Sequence, residues 1–204
     1  QFLLVVFLLH REGNGLSWSA IRRGLWLSGP RSPKTGSPQN RLWLLLLPLL
    51  ALPAAYQFLG APHVHDLWIR LFPFVAEPPG YSLAAYFDHP DASRQMEGAW
   101  GVLLLFSVSA LFNTVIGEEL LFRGLLLPRM NGVFGRWDWL SNGILFGLYH
   151  LSQPWTIPGS AIVGALFFAF PTKRYQCAWF GIVAHSGQSV FFLVLILGLV
   201  LGLA

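Results

Sequence analysis

Two carboxylates and one guanidinium occur inside a segment that is otherwise apolar enough to lie in a lipid bilayer. Residues 117–124 read GEELLFRG, and residues 98–116 before them carry no charge. A charged side chain in the middle of a membrane span costs about 2.5–3.5 kcal/mol, so such residues are usually paired or functional. Glu119 and Arg123 are four residues apart and can pair on one helix face. Glu118 is turned about 100° from Glu119, lacks that partner, and is the candidate general base.

Two histidines occur in later apolar segments and could act with this acid. Counted from the cytoplasmic end of each segment at about 1.5 Å per residue, Glu118 lies about 15 Å deep, His150 about 20 Å and His185 about 16 Å. Alternatives are a polar clasp between helices and a proton or ion pathway. A clasp needs fewer charges, and a pathway would place polar groups at several depths. The residues therefore predict one polar site within the membrane.

The composition indicates an integral membrane protein. Of 204 residues, 54% are hydrophobic and 11% are charged, whereas soluble domains have about 25% charged residues. We predict an all-α, polytopic bundle of transmembrane helices. Apolar blocks long enough, or nearly so, to cross lie at 42–60, 98–127, 138–153 and 177–204, with a shorter block at 157–171. About five spans follow, and the block 98–127, about 45 Å long as a helix, should tilt or break near Gly117.

The charges of the connecting segments predict which of them share a side of the membrane. Loop 10–41 holds six Lys and Arg residues against one Glu, whereas loop 61–97 holds five acids against two Arg. Short cytoplasmic loops carry an excess of Lys and Arg. The segments 10–41, 128–137 and 173–174 are therefore predicted on the cytoplasmic side, and 61–97 and 152–158 on the outer side.

The outer loop 61–97 has features of its own. We expect a short interfacial helix in it. His63 and His65 form an HxH pattern, but the only third ligand candidate nearby is Asp66. We interpret both histidines as solvated loop residues.

The chain divides into two regions. Residues 1–97 comprise an apolar start, a basic cytoplasmic loop, a second span and an outer loop, and residues 98–204 form the core. The apolar run 1–9 is shorter than the roughly 20 residues that cross a bilayer, and we interpret it as the end of a truncated span. The net charge of +4 does not indicate a nucleic-acid partner, because charge placement in a membrane protein follows topology.

Three motifs in the core resemble those of one family. The chain has EELLFR at 118–123, FGLYH at 146–150 and HSGQS at 185–189. Their order and spacing resemble the Glu-Glu-x-x-x-Arg, Phe-x-x-x-His and His-x-x-x-Asn motifs of the CPBP (CAAX protease and bacteriocin-processing, or Abi) intramembrane proteases, which include the CAAX prenyl endopeptidases. The resemblance covers roughly 98–204. It implies a helical bundle with a cavity in which a glutamate and a histidine activate water against a peptide carbonyl.

The resemblance implies a role for each matching residue on the first two motifs. Glu118 would be the general base, and His150 would help to hold the water. Glu119 and Arg123 would be the supporting pair, with Phe146 beside them.

The third motif departs from the family pattern. His185 and the residue four later would stabilise the oxyanion of the tetrahedral intermediate. That residue is Ser189 rather than Asn, and its hydroxyl has a shorter reach. Gln188 is a possible substitute, one position off that helix face.

The same residues leave alternatives open. One carboxylate and two imidazoles match catalytic zinc sites, so a zinc ion held by Glu118, His150 and His185 is the alternative to the metal-free chemistry that the resemblance favours. A catalytically weak member that acts by binding, for instance in bacteriocin immunity, is the alternative function. The expected partners are the lipid bilayer and a membrane-associated peptide or protein substrate, prenylated or not. We expect an integral protein of a prokaryotic cell membrane.

Overall fold

The fold is an all-α bundle, as predicted. The computed structural model describes residues 1–13, 17–81 and 91–203, and within them no β-strand occurs. The part of loop 10–41 at 14–16 and the part of loop 61–97 at 82–90 lie outside the described residues. The helices are α1 Phe2–Arg11, α2 Trp18–Gly24, α3 Asn40–Leu59, α4 Ala61–Leu71, α5 Ala92–Met96, α6 Trp100–Arg129, α7 Asp138–Tyr149, α8 Pro154–Tyr175 and α9 Trp179–Val200.

Four helices in the described residues are long and apolar enough to cross a membrane, namely α3, α6, α8 and α9. Four of the predicted blocks are thereby confirmed. The fifth, 138–153, is corrected: α7 has 12 residues and is about 18 Å long, against a hydrocarbon core of about 30 Å. Helix α7 ends at Tyr149, and Pro154, which lacks a backbone donor, opens the next helix.

Helix α6 carries the glutamates on an unusual backbone. Of the two expectations, a tilt or a break near Gly117, the break does not occur, because the helix is continuous there. From Ala110 to Leu126 it forms i→i+5 hydrogen bonds. A second segment of this π-helical type runs over Gly164–Ala169 in α8. Such segments are rare and frequently lie at functional sites. Side-chain directions around Glu118 therefore differ from those expected for an α-helix.

Contacts between connecting segments agree with the predicted sidedness. On one side, Arg129 pairs with Glu12, Lys173 pairs with Asp138, and the backbone amide of Arg31 donates to the Tyr175 carbonyl at 2.9 Å. On the other side, Trp68 Nε1 of α4 donates to the Pro154 carbonyl at 3.0 Å. The short helix expected in loop 61–97 is α4 itself.

The amino-terminal part packs on the core. Val5, Leu9 and Leu25 share a buried cluster with Leu125 of α6 and Ile182 of α9. The division between 97 and 98 stays a prediction.

Helices α7 and α8 approach each other closely at a glycine. A Cβ atom on Gly143 would lie 2.5 Å from the backbone Cα and N atoms of Ala165. Because these are backbone atoms, α8 cannot yield by a rotamer change. This contact holds α7, the helix that His150 follows, against α8, the helix that carries Phe168.

We expect Gly143→Ala to destabilise the protein by about 1–3 kcal/mol through overpacking. The matched control is Gly198→Ala in α9, where a Cβ would meet nothing within 4 Å. Thermal unfolding of the purified proteins in detergent measures both. Equal midpoints for the two variants would contradict the close approach of α7 and α8.

Candidate active site

A fully buried ion pair lies at the centre of the site. Arg123 Nη1 donates to Glu119 Oε1 at 2.7 Å, and neither side chain is exposed. Arg123 Nη2 also donates to the Gly164 carbonyl of α8 at 3.2 Å. The guanidinium carbon lies 4.2 Å from the centroid of the Phe146 ring and 5.1 Å from that of Phe168. The pairing inferred from the four-residue spacing is thus present, and it joins α6, α7 and α8.

Helix α9 closes over this pair. A Cβ atom at Gly181 would lie 2.6 Å from Glu119 Oε2, so only glycine allows this approach without displacement. The fourth helix therefore completes a shell around two charges that lie away from water.

His185 of α9 contacts both carboxylates. Its Nδ1 lies 2.9 Å from Glu119 Oε1, and its Nε2 lies 3.9 Å from Glu118 Oε2. The ring stacks on Phe168, with centroids 4.8 Å apart and planes at 20°. No sequence pattern singled out Phe168 among the apolar residues of α8. Stacking and the bond to Glu119 together fix the ring orientation.

Within the described part of the chain, Glu118 has no arginine partner, as expected, but it is not isolated. Its side chain is 5% exposed, and its Oε1 accepts a hydrogen bond from Asn113 Nδ2 at 3.0 Å. Asn113 was not singled out in the sequence. Residues five apart lie next to each other where backbone bonds run i→i+5, and an α-helical reading misses this neighbour.

His150 directly follows the end of α7. Its Nδ1 lies 2.8 Å from the Phe146 carbonyl, and its ring meets the Phe146 ring edge-on with centroids 4.8 Å apart. When Nδ1–H donates to that carbonyl, Nε2 keeps its lone pair. His150 is therefore oriented to accept a hydrogen bond from water.

An open cleft of about 580 Å³ brings the two histidines together. His150, His185 and Gln188 line it, together with Phe146 and Phe168. Glu118 does not line the cleft but lies behind His185. His150 and His185 therefore share one cavity, and Glu118 contacts His185 without lining that cavity.

Ser189 does not line the cleft. Its Oγ donates to Thr114 Oγ1 of α6 at 3.3 Å. Gln188, three residues after His185, faces the cavity instead. Residues three and four apart on a helix are both neighbours, so spacing alone did not choose between them.

The mouth of the cleft includes the outer helix α4. His65 is half-buried and lines the cavity, held there through the Trp68 bond to Pro154. The interpretation of His65 as a solvated loop residue is corrected, because docking of α4 on α8 could not be read from local sequence. His63 is exposed.

A zinc ion held by Glu118, His150 and His185, the alternative to metal-free chemistry, stays a prediction. Across residues 1–13, 17–81 and 91–203, no three His, Cys, Asp or Glu side chains are grouped so that they could hold a metal ion. We derive no step through a metal.

Fold and site together define an intramembrane helical protein with paired carboxylates and two histidines at an open cleft. Residues 99–191 match the family model described as Rce1-like, type II CAAX prenyl endopeptidase. This match agrees with the family that the motifs resemble and confirms the resemblance over residues 99–191. The match contains every predicted site residue. Searches of curated proteins and of solved structures returned no match.

The match indicates the general class of activity. The family consists of CAAX-type intramembrane proteases, which act on membrane-associated polypeptides. With four apolar helices long enough to span, the chain is an integral membrane protein.

Proposed function

We propose that this protein is an intramembrane endopeptidase of a prokaryotic cell membrane that uses water activated by Glu118 and His150. One observation carries the proposal. His185 shares an open cleft with His150 and contacts Glu118 and the Glu119–Arg123 pair from the other side. Two imidazoles at one cavity, one of them in contact with an acid, suit addition of water to a peptide carbonyl.

The reaction begins with a substrate carbonyl in the cleft. Water held by His150 Nε2 gives a proton to Glu118 as its oxygen bonds to the carbonyl carbon. Glu118 then passes that proton to the leaving nitrogen as the C–N bond breaks. Because Glu118 lies behind His185, the proposal requires the substrate-bound cleft to expose Glu118 Oε2, and catalytic contacts of this kind often tighten only in the complex.

His185 is the proposed oxyanion donor. Its Nδ1–H donates to Glu119, so Nε2 donates to the oxyanion when the ring carries both protons. Glu118, Glu119 and Arg123 together leave one net negative charge.

We expect Gln188 to matter more than Ser189 for the rate. Removing one good oxyanion donor costs about 10²–10³ in rate, and Gln188 lines the cleft whereas Ser189 bonds to Thr114. Gln188→Ala should therefore lower kcat strongly, and the matched variant Ser189→Ala should lower it little. Cleavage rates of purified proteins measure both, and the reverse order would contradict the assignment.

The position of Ser189 also favours a second candidate function. Its hydroxyl is turned to Thr114 rather than to the cleft, which leaves the family's oxyanion position without its usual residue. A member weakened in this way could act by binding, as in bacteriocin immunity. Such a protein would keep its phenotype when Glu118 is replaced by Gln.

The test is a mass spectrum of membrane peptides from cells expressing wild type or Glu118→Gln. We expect new peptide termini only with wild type. The control Glu97→Gln removes an exposed acid outside the cleft and should behave as wild type. Identical spectra for wild type and Glu118→Gln would overturn the proposal. Zinc content of the same purified protein tests the metal alternative, since stoichiometric zinc would contradict metal-free chemistry.

A further inference from the structure

A second cavity lies at the other end of the bundle. It has a volume of about 380 Å³ and is formed by the segment 31–36, the residues around the start of α7 and the end of α8. Among the described residues, four cationic side chains line it, Arg31, Arg136, Lys173 and Arg174, and no carboxylate does. It shares no lining residue with the cleft of the histidines.

One of these four charges is already neutralised. Lys173 pairs with Asp138, which is fully buried and accepts hydrogen bonds from the Gly132 and Phe134 backbone amides, each at 2.8 Å. Burial works against ionisation of Asp138, but the bonds from Lys173 and the two amides outweigh it and hold the pKa of this carboxyl below its usual value. Lys173 therefore forms part of the wall of the cavity, and its charge is balanced by Asp138.

The three arginines have no acidic partner in the described part of the chain. Arg31 donates to the Gly36 carbonyl at 3.2 Å, and the Arg136 guanidinium lies over the Trp137 ring, 4.8 Å from its centroid. Arg174 is exposed at the carboxyl end of α8. These are planar donors suited to two-point contact with phosphate oxygens.

The position of the cavity indicates the kind of anion. It lies where the spanning helix α8 ends, at Tyr175, on the side predicted to be cytoplasmic. Trp139 and Phe170 form its apolar wall, with ring centroids 5.4 Å apart. Tryptophan is enriched at the membrane–water boundary, and a cationic rim above an aromatic wall fits a head group above its glycerol and acyl chains.

We propose that this cavity binds the phosphate of an anionic phospholipid, with Arg136 and Arg174 as the main contacts. Basic pockets between spanning helices on the cytoplasmic side are suited to such head groups. The lipid would bind against the end of α8, the helix that carries Phe168, and the start of α7, the helix that His150 follows. This inference does not depend on the proposed protease activity.

The test is lipid-dependent thermal unfolding of the purified full chain in neutral detergent. Short-chain phosphatidylglycerol should raise the unfolding midpoint by binding the folded state, and phosphatidylcholine of equal chain length should not. Each cation contributes about fivefold in affinity, so Arg136→Gln with Arg174→Gln should weaken binding by about 25-fold. The matched control, Arg22→Gln with Arg23→Gln, removes two exposed charges of α2 that do not line the cavity.

Three results would overturn the proposal. The first is that the Arg136 and Arg174 double variant binds the lipid as tightly as wild type. The second is that the Arg22 and Arg23 control weakens lipid binding by the same factor as the double variant. The third is that inorganic phosphate raises the unfolding midpoint as much as the lipid does. The last would assign the cavity to free phosphate. If the double variant does not fold, Arg174→Gln alone, at an exposed helix end, should weaken lipid binding about fivefold, and an unchanged affinity would contradict the proposal.

Discussion

Replacing Arg123 with Met is expected to lower the stability of the folded protein by about 3–5 kcal/mol, because it leaves a buried carboxylate without its counter-charge. Glu119 has no exposed surface, and Arg123 also bonds to the Gly164 carbonyl and packs on Phe146. The measurement is the unfolding midpoint in detergent, with the folded yield from size-exclusion chromatography.

Two further variants serve as controls for this result. Arg22→Met changes an exposed arginine in the same way and should shift stability by less than about 0.5 kcal/mol. Adding Glu119→Gln to Arg123→Met removes both charges and should recover part of the loss. If Arg123→Met were as stable as Arg22→Met, the buried pair would not support the site.

The second large effect concerns the reaction rate. Glu118→Gln is expected to lower the cleavage rate by about 10²–10⁴ because the amide cannot take a proton from water. The amide oxygen can still accept the bond from Asn113 Nδ2 that Glu118 Oε1 accepts at 3.0 Å, so the unfolding midpoint should change little. The rate is measured on a substrate identified from the membrane peptides, and the midpoint on the same preparation.

The matched control for this variant is Glu97→Gln. Glu97 is an exposed acid that does not line the cleft, and its replacement should leave the rate unchanged. A Glu118→Gln protein that cleaves at the wild-type rate would show that another group activates the water. A protein that is both inactive and unfolded would contradict the view that Glu118 acts in chemistry rather than in packing.

Much of the fold could be predicted because hydropathy and charge are properties of local sequence. The four long spans, the sides shared by the basic loops and the Glu119–Arg123 pair all follow from periodicity, spacing and composition. The error at 138–153 has a local cause. Apolar length alone does not show that α7 ends at Tyr149 and that a proline opens a new helix at Pro154.

The site was predicted less completely because its details depend on packing. Asn113 lies next to Glu118 because the backbone of α6 forms i→i+5 hydrogen bonds, and no pattern of side chains in the sequence predicts such a backbone. His65 reaches the cleft because α4 docks on α8. Gln188, rather than Ser189, faces the cavity because of the way α9 is rotated in the bundle, which the sequence does not specify.

The most direct measurement uses water labelled with heavy oxygen. Purified protein is incubated with its membrane peptide substrate in this water, and the new carboxyl termini are analysed by mass spectrometry. Water activated by Glu118 should place one heavy oxygen in each new carboxylate with wild type, and Glu118→Gln should give no such product above the uncatalysed level. Absence of labelled termini with wild type, or equal labelling by both proteins, would contradict the account.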